Sequence, residues 1–309
     1  MLVDALPKLG DEFGSNDVAQ QREALGGDLT SMAFEIGKRD GLGLVHRAYT
    51  NRVLSSLRSV VNFRDIGGYE TVTGRLVQRG RVYRSGHLAN ISDPDLRQLG
   101  ELGVRCVIDF RTGSDASLDG GSPLPQGARR VQLPMGDPAS APMDIREMLT
   151  GNDPEAAERH LGDGQATQLM LDAAEALVVE HCEAYGLMLQ ELASKDGLPA
   201  IVHCSAGKDR TGWAASLLLA IAGVADEAII DHYVESNRYR VVENARALES
   251  LPAGIDPEWM RPFYECRPAY ARASLAIMRE RWGDVDRYAL EGLDVPTRDL
   301  ETLREQLLA

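Results

Sequence analysis

The sequence predicts an α/β fold: a central, mostly parallel sheet flanked by helices, with a helical C-terminal portion. Three observations carry that prediction. Strand-like segments at Gly80–Ser85, Val104–Phe110, Ala128–Pro134 and Leu198–Val202 alternate with helix-length segments, which implies crossover connections and parallel pairing. Beyond the last of these runs the chain reads as helical to its end. A chain of 309 residues with 44% hydrophobic content also supplies a substantial core.

Taken in order, residues 1 to about 30 are polar and hold Gly10, Gly14, Gly26 and Gly27 without a sustained helical period. They read as a flexible or loosely docked arm. Asp40-Gly41, between two short apolar segments, predicts a hairpin. Residues 1–58 form an N-terminal extension, partly flexible, to a domain over 59–309. Within that domain Gly80–Ser85 reads as a strand. Ser92-Asp93-Pro94-Asp95 starts a helix that reaches about Leu102, with a capping side chain, proline in the first turn and acid early. Val104–Phe110 and Ala128–Pro134 read as buried strands. Residues 135–166 carry Pro138, Pro142, Pro154, Gly151, Gly162 and Gly164 and read as a lid-like insertion, with a short helix at 154–159. Residues 167–194 place Met170, Ala173, Leu177, Tyr185 and Met188 at helical spacing, in one or two helices broken near His181. Further helices are expected near 226–240, 242–250, 257–264, 268–282, 284–292 and 296–308.

Composition narrows the partners. A formal net charge of −14 argues against nucleic acid. No run of 18 apolar residues exists, so no transmembrane segment is expected. The start, M-L-V-D-A-L-P-K, lacks a basic region followed by an apolar core. Cys106, Cys182, Cys204 and Cys266 show no C-x-x-C spacing and suit free thiols in a reducing compartment. The expected location is cytoplasmic, with secretion by a route that needs no such leader left open.

The chemistry concentrates in H-C-S-A-G-K-D-R-T-G, His203 to Gly212, between the Leu198–Val202 strand and an apolar helix over Trp213–Ile221. A strand-to-helix loop offers unsatisfied N–H groups and the positive end of a helix dipole, which favour anions. The amides from Cys204 through Ser205, Ala206, Gly207 and Lys208 to Asp209 can curl inward, while the Arg210 guanidinium grips two phosphate oxygens. The same field favours the thiolate of Cys204, the form that attacks.

This segment resembles the signature of the cysteine-dependent protein tyrosine phosphatases. Its G-K-D-R-T-G ending is similar to the bacterial branch related to the secreted mycobacterial tyrosine and lipid phosphatase. Sulfurtransferase loops lack the G-K-D-R-T run, and arsenate reductases carry theirs near the start of a shorter chain. The resemblance begins at V-V-N-F-R-D-I-G-G-Y-E, residues 60–70, and implies a tyrosine-phosphatase-like fold and a metal-independent reaction without cofactors. It casts Cys204 as the nucleophile of a cysteinyl-phosphate intermediate and Arg210 as the phosphate clamp. Thr211 would assist departure of the sulfur, and His203 would orient the loop. For the proton donor, Leu133-Pro134-Met135-Gly136-Asp137 matches the family's strand end and points to Asp137, with Asp209 as the rival. Lys208 would either meet a second phosphate, as on a polyphosphorylated inositol, or pair with Asp209. Asp65 and Asp109 are expected in structural bonds to Arg64, Arg111 or backbone amides. Substrates are then phosphotyrosine, phosphoserine or phosphothreonine in proteins, or phosphoinositides. The alternatives are a small-molecule phosphomonoesterase of a biosynthetic pathway and a phosphate-binding pseudophosphatase.

Overall fold

The computed structural model describes residues 57–136 and 153–309. The hairpin expected at Asp40-Gly41, Asp137 and the centre of the 135–166 insertion lie outside the described residues. Five strands form one sheet: β1 (Arg64–Asp65), β2 (Val82–Ser85), β3 (Cys106–Asp109), β4 (Arg129–Gln132) and β5 (Ala200–His203). Their spatial order is β1-β2-β5-β3-β4. Only the β1–β2 pair is antiparallel. β1 was not anticipated, and β2 to β5 are each shorter than the segment read as a strand. At the β2 end, Gly80 turns at a φ of 75° and gives its N–H to the Asp65 carboxylate at 2.7 Å, so the ladder starts after it.

β1, β2, β5 and β3 are buried along their length, as strands of a covered parallel sheet should be. β4, expected to be a buried strand, is instead an edge strand whose Arg129, Arg130 and Gln132 are exposed, because it pairs with β3 on one side only. Tyr83, Val107 and Ile201 face a smaller core with Val60, Phe63, Leu88 and Leu99. Their neighbours Val82, Cys106, Ile108, Ala200 and Val202 face the main core. On the smaller side α1 (Asp93–Glu101) begins where predicted, with Ser92 accepting from the Asp95 amide at 3.3 Å and Pro94 in the first turn. A second helix, α2 (Gly113–Asp119), was not anticipated. It is nucleated by a reciprocal capping box between Thr112 and Asp115, directly after the β3 end.

The insertion contributes α3 (Pro154–Leu161). The long helical stretch divides at His181 into α4 (Gln165–Val179) and α5 (Cys182–Ala193). From β5 the chain enters α6 (Arg210–Ala222), of which twelve residues are buried. The helical portion follows as α7 (Asp226–Val234), α8 (Ser236–Tyr239), α9 (Val241–Glu249), α10 (Pro257–Tyr264), α11 (Pro268–Trp282) and α12 (Val285–Arg287). A π-helical turn at Tyr288–Gly292 and α13 (Thr297–Leu307) complete it. β5 therefore runs through the centre of the sheet and delivers its C-terminal end, His203, to the loop that precedes the almost entirely buried α6. Ligands of open α/β sheets bind at that end of the strands.

Candidate active site

The loop from Cys204 to Asp209 is shaped from outside by bonds to its carbonyl oxygens. The His87 amide donates to the Ser205 carbonyl at 2.9 Å. The Asn62 side chain donates to the Ala206 and Gly207 carbonyls at 3.3 and 2.7 Å. Arg240 Nη1 reaches the Ala206 carbonyl at 3.1 Å. Arg84 Nη2 reaches the Gly207 carbonyl at 2.7 Å and that of Lys208 at 3.4 Å. In a planar trans peptide the N–H of the next residue points opposite to the carbonyl. Fixing four consecutive carbonyls outward thus turns the amides of Ala206, Gly207, Lys208 and Asp209 to the concave side. Gly207 is required for this turn. It sits at a φ of 65°, and a Cβ there would lie 2.3 Å from the Ser85 carbonyl oxygen.

The N-F-R-D segment is the scaffold of that loop, a role its sequence did not reveal. Asn62 takes the left-handed conformation at a φ of 59°, which asparagine tolerates. Its amide is held in turn by Arg64, which donates to the Asn62 side-chain oxygen, to the His232 carbonyl at 2.9 Å and to Ser236 Oγ at 2.9 Å. Phe63 stacks on Tyr83 at 5.5 Å in the smaller core. Asp65 accepts from the Gly67 and Gly80 amides at 2.7 Å each, a backbone role as expected.

Arg210 opens α6 and is buried. Its Nη1 bonds Asp115 Oδ2 at 2.7 Å and the Met135 carbonyl at 3.1 Å, while Tyr185 OH donates to its own carbonyl at 3.0 Å. Burial pushes the Asp115 carboxyl up, but the Arg210 charge and hydrogen bond hold it below the usual carboxylate value. Asp115 was missed by the sequence reading. The T-x-x-D spacing of its capping box announces a helix start, but nothing in it announces an arginine 95 residues away. The contact places Met135, two residues before Asp137 in the sequence, beside the guanidinium.

Cys204 lies at the bottom of the cradle, 2% exposed. Among the described residues Thr211 Oγ1 and Ser205 Oγ are buried without a hydrogen-bond partner, so each hydroxyl retains an unused donor. His203 is fully buried. Its Nδ1 lies 3.3 Å from the Cys204 carbonyl and its Nε2 3.6 Å from Asp109 Oδ2, too long for a hydrogen bond. Burial pulls its pKa down to about 4 against the opposing pull of Asp109, so the imidazole is neutral at physiological pH. Asp109 accepts from Arg111 at its amide (3.0 Å), Nε (3.1 Å) and Nη2 (3.1 Å). Burial pushes the Asp109 carboxyl up, and His203 and Arg111 together bring it below the usual value.

Asp209 and Lys208 face away from the concave side. Lys208 Nζ donates to the Phe263 carbonyl at 2.5 Å and lies 3.3 Å from Asp209 Oδ2. Its side chain is 4% exposed. Tyr233 OH donates to Asp209 Oδ1 at 3.3 Å. Asp209 and Tyr233 also border a small, mainly apolar cavity of about 20 Å³, shared with Trp213, Leu177 and Tyr270. The loop thus gathers His203, Cys204, Ser205, Ala206, Gly207, Arg210 and Thr211 around one centre. Lys208 and Asp209 are directed into the helical portion.

Among known proteins, the chain is 34% identical over 252 residues to a protein of Cupriavidus necator whose name describes a tyrosine-protein phosphatase, covering 81% of this chain and 87% of that one. It is 29% identical over 209 residues to the triple specificity protein phosphatase of Mycobacterium tuberculosis, covering 64% and 74%. A tyrosine-protein phosphatase of Nostoc commune is 27% identical over 237 residues, covering 72% and 73%. The sequence profile of the tyrosine phosphatase family matches residues 55–309, a span that holds the whole loop and every residue that braces it, and the chain belongs to that family.

Proposed function

We propose that this phosphatase hydrolyses phosphotyrosine monoesters through a cysteinyl-phosphate intermediate, without a metal. The observation that carries the reading is the outward bracing of the Ser205 to Lys208 carbonyls, which leaves inward amides converging above Cys204. Three equatorial phosphate oxygens meet those amides and the Arg210 guanidinium, which supply the charge stabilisation that phosphoryl transfer requires. Cys204 Sγ attacks phosphorus in line as the ester oxygen departs. That oxygen takes a proton from an aspartic acid. Water then gives a proton to that carboxylate as its oxygen bonds phosphorus, the S–P bond breaks, and phosphate and the thiolate are released, the Thr211 hydroxyl donating a hydrogen bond to the sulfur.

Asp137 is assigned the proton transfer. In support of this reading, Met135, two residues earlier in the sequence, has its carbonyl 3.1 Å from Arg210 Nη1, whereas Asp209 is engaged with Tyr233 and Lys208. Because Lys208 pairs inward, phosphoinositides are the secondary substrate class, and phosphoserine, phosphothreonine and small phosphomonoesters complete the comparison.

The test is turnover of a panel of phosphotyrosine, phosphoserine and phosphothreonine peptides, phosphoinositides and sugar or nucleotide phosphates, with EDTA present. The expected result is fastest hydrolysis of phosphotyrosine, undiminished by EDTA, and loss of more than about a hundredfold in Cys204→Ser. Asp137→Asn should slow esters with poor leaving groups far more than activated ones. Preference for one small phosphomonoester would move the protein to a biosynthetic role. Turnover surviving in Cys204→Ser would overturn the reading.

A further inference from the structure

The antiparallel β1–β2 pair sets Arg64 directly opposite Arg84. Both are buried, at 4% and 0% exposure. Like charges facing each other across a strand pair destabilise it, and a buried cation without an anionic partner is costlier still. Arg64 meets that cost with Glu235 at 3.7 Å and with its bonds to Asn62, His232 and Ser236. Arg84 has no such relief. Nη2 alone is bonded, to the Gly207 and Lys208 carbonyls, while Nε and Nη1 are buried without a hydrogen-bond partner. Among the described residues no ion pair includes Arg84.

The groups around this guanidinium are few. Arg64 faces it from β1, and His232 and Tyr233 face it from α7. Cys266 lies between α10 and α11, and Cys204 lies in the loop above. His232 is held neutral by burial and by the two arginines, and burial pushes the Tyr233 hydroxyl and the Cys266 thiol up, so all three are uncharged at neutral pH. Burial also pulls Arg84 itself down to about 9, which still leaves it a cation. A fixed positive charge therefore stands behind the loop with no carboxylate to neutralise it. The one neighbouring group whose function calls for a negative charge is Cys204.

We propose that Arg84 is the buried counter-charge of the Cys204 thiolate, a positioning residue that braces the loop and acts on the sulfur from behind without touching substrate. Arg84 Nη2 stands against the first turn of α6, 3.6 Å from where a Cβ on Gly212 would lie, so its charge adds to the helix dipole at that end. The proposal rests on the reading of Cys204 as a thiolate nucleophile.

The test reads the sulfur without turnover. Cys204 in the full chain is alkylated with iodoacetamide, followed by intact-mass and peptide analysis, at about pH 6 and about pH 9. Wild type should react at the two pH values within about threefold. Arg84→Met should slow at least about tenfold at pH 6 and stay within about threefold of wild type at pH 9, where any thiol is substantially ionised. Arg84→Lys, which keeps the charge, should restore most of the pH 6 rate, and Cys266→Ala should leave it unchanged. If Arg84→Met does not give a cooperative thermal melt, Arg84→Gln, with a neutral donor toward the loop carbonyls, takes its place. Equal slowing at both pH values, no slowing, or Arg84→Lys behaving as Arg84→Met would each overturn the counter-charge. Wild type that reacts only at pH 9 would overturn the thiolate itself, and with it the proposed reaction.

Discussion

Arg210 and Arg84 are two buried arginines on opposite sides of one loop, and their partners separate their roles. Arg210 faces the concave side and is aimed by a carboxylate, Asp115, at 2.7 Å. Arg84 touches two loop carbonyls from outside and, among the described residues, has no carboxylate partner. In the proposed reaction the Asp115 partner adds geometry to the Arg210 charge, by holding its planar fork toward two phosphate oxygens. An unpaired guanidinium keeps its field in a low-dielectric interior, where a charge acts strongly on its neighbours. On the proposed reading, the fork of Arg210 has no substitute in another cation, whereas Arg84 serves by its charge alone.

The comparison is broken most severely at Arg210. Arg210→Lys keeps the charge and removes the fork, so kcat should fall by about 10²–10³-fold. Arg84→Lys should be mild by the same logic, and steady-state kinetics on one phosphotyrosine peptide compares the two. If both substitutions were equally severe, the distinction between shape and charge would not hold.

Asp115→Asn sharpens the contrast from the partner's side. Losing the charge of a charge-assisted bond costs about 1.5 kcal/mol or more, so kcat/KM should fall about tenfold. The loss should appear with every phosphate ester, because the clamp contacts the phosphoryl group and not the leaving group. A loss confined to poor leaving groups would instead make Asp115 the proton donor.

His203 tests the supporting layer by pH. Its folded pKa of about 4 lies below the ordinary value of about 6.5, so the unfolded chain binds the extra proton first as pH falls. The stability contributed by the neutral imidazole is complete above about pH 6.5 and is lost progressively toward pH 4. The loss amounts to about 3 kcal/mol. Denaturant unfolding should therefore show a steeper acid-side decline for wild type than for His203→Asn. Parallel curves would mean that the imidazole is protonated in the folded state.

The smallest expected contrast is at Lys208. With its ammonium on the Phe263 carbonyl and Asp209, Lys208→Ala should lower turnover of a phosphotyrosine peptide and a phosphoinositide in parallel, within about twofold of each other, and reduce thermal stability. Selective loss on the phosphoinositide would show that the side chain swings to the substrate.

Much of this arrangement was legible in the sequence. The strand–loop–helix context of His203 to Gly212, the capped α1 and the break at His181 all follow from local patterns, because caps, turns and apolar periods are set by neighbours in the chain. The braces were not legible. Asn62 lies 145 residues from the carbonyl it holds and Arg84 lies 123 from its own, and such contacts exist only once β2 pairs with β5. Lys208 shows the same limit. Its position in the motif predicts a cation near phosphate, but the direction of its side chain is decided by a carbonyl in α10. The motif specifies the inner surface of the loop, and the tertiary fold specifies what stands behind it.

The central claim is that the braced loop makes Cys204 the atom that receives phosphate. The most direct measurement is rapid acid quench during turnover of a phosphotyrosine peptide with EDTA present, followed by mass analysis of the peptide containing Cys204. The account predicts a phosphate adduct on Cys204 that forms within the first turnover and is absent in Cys204→Ser. Turnover that proceeds with phosphate on another residue, or with the adduct absent and full activity in Cys204→Ser, would contradict it.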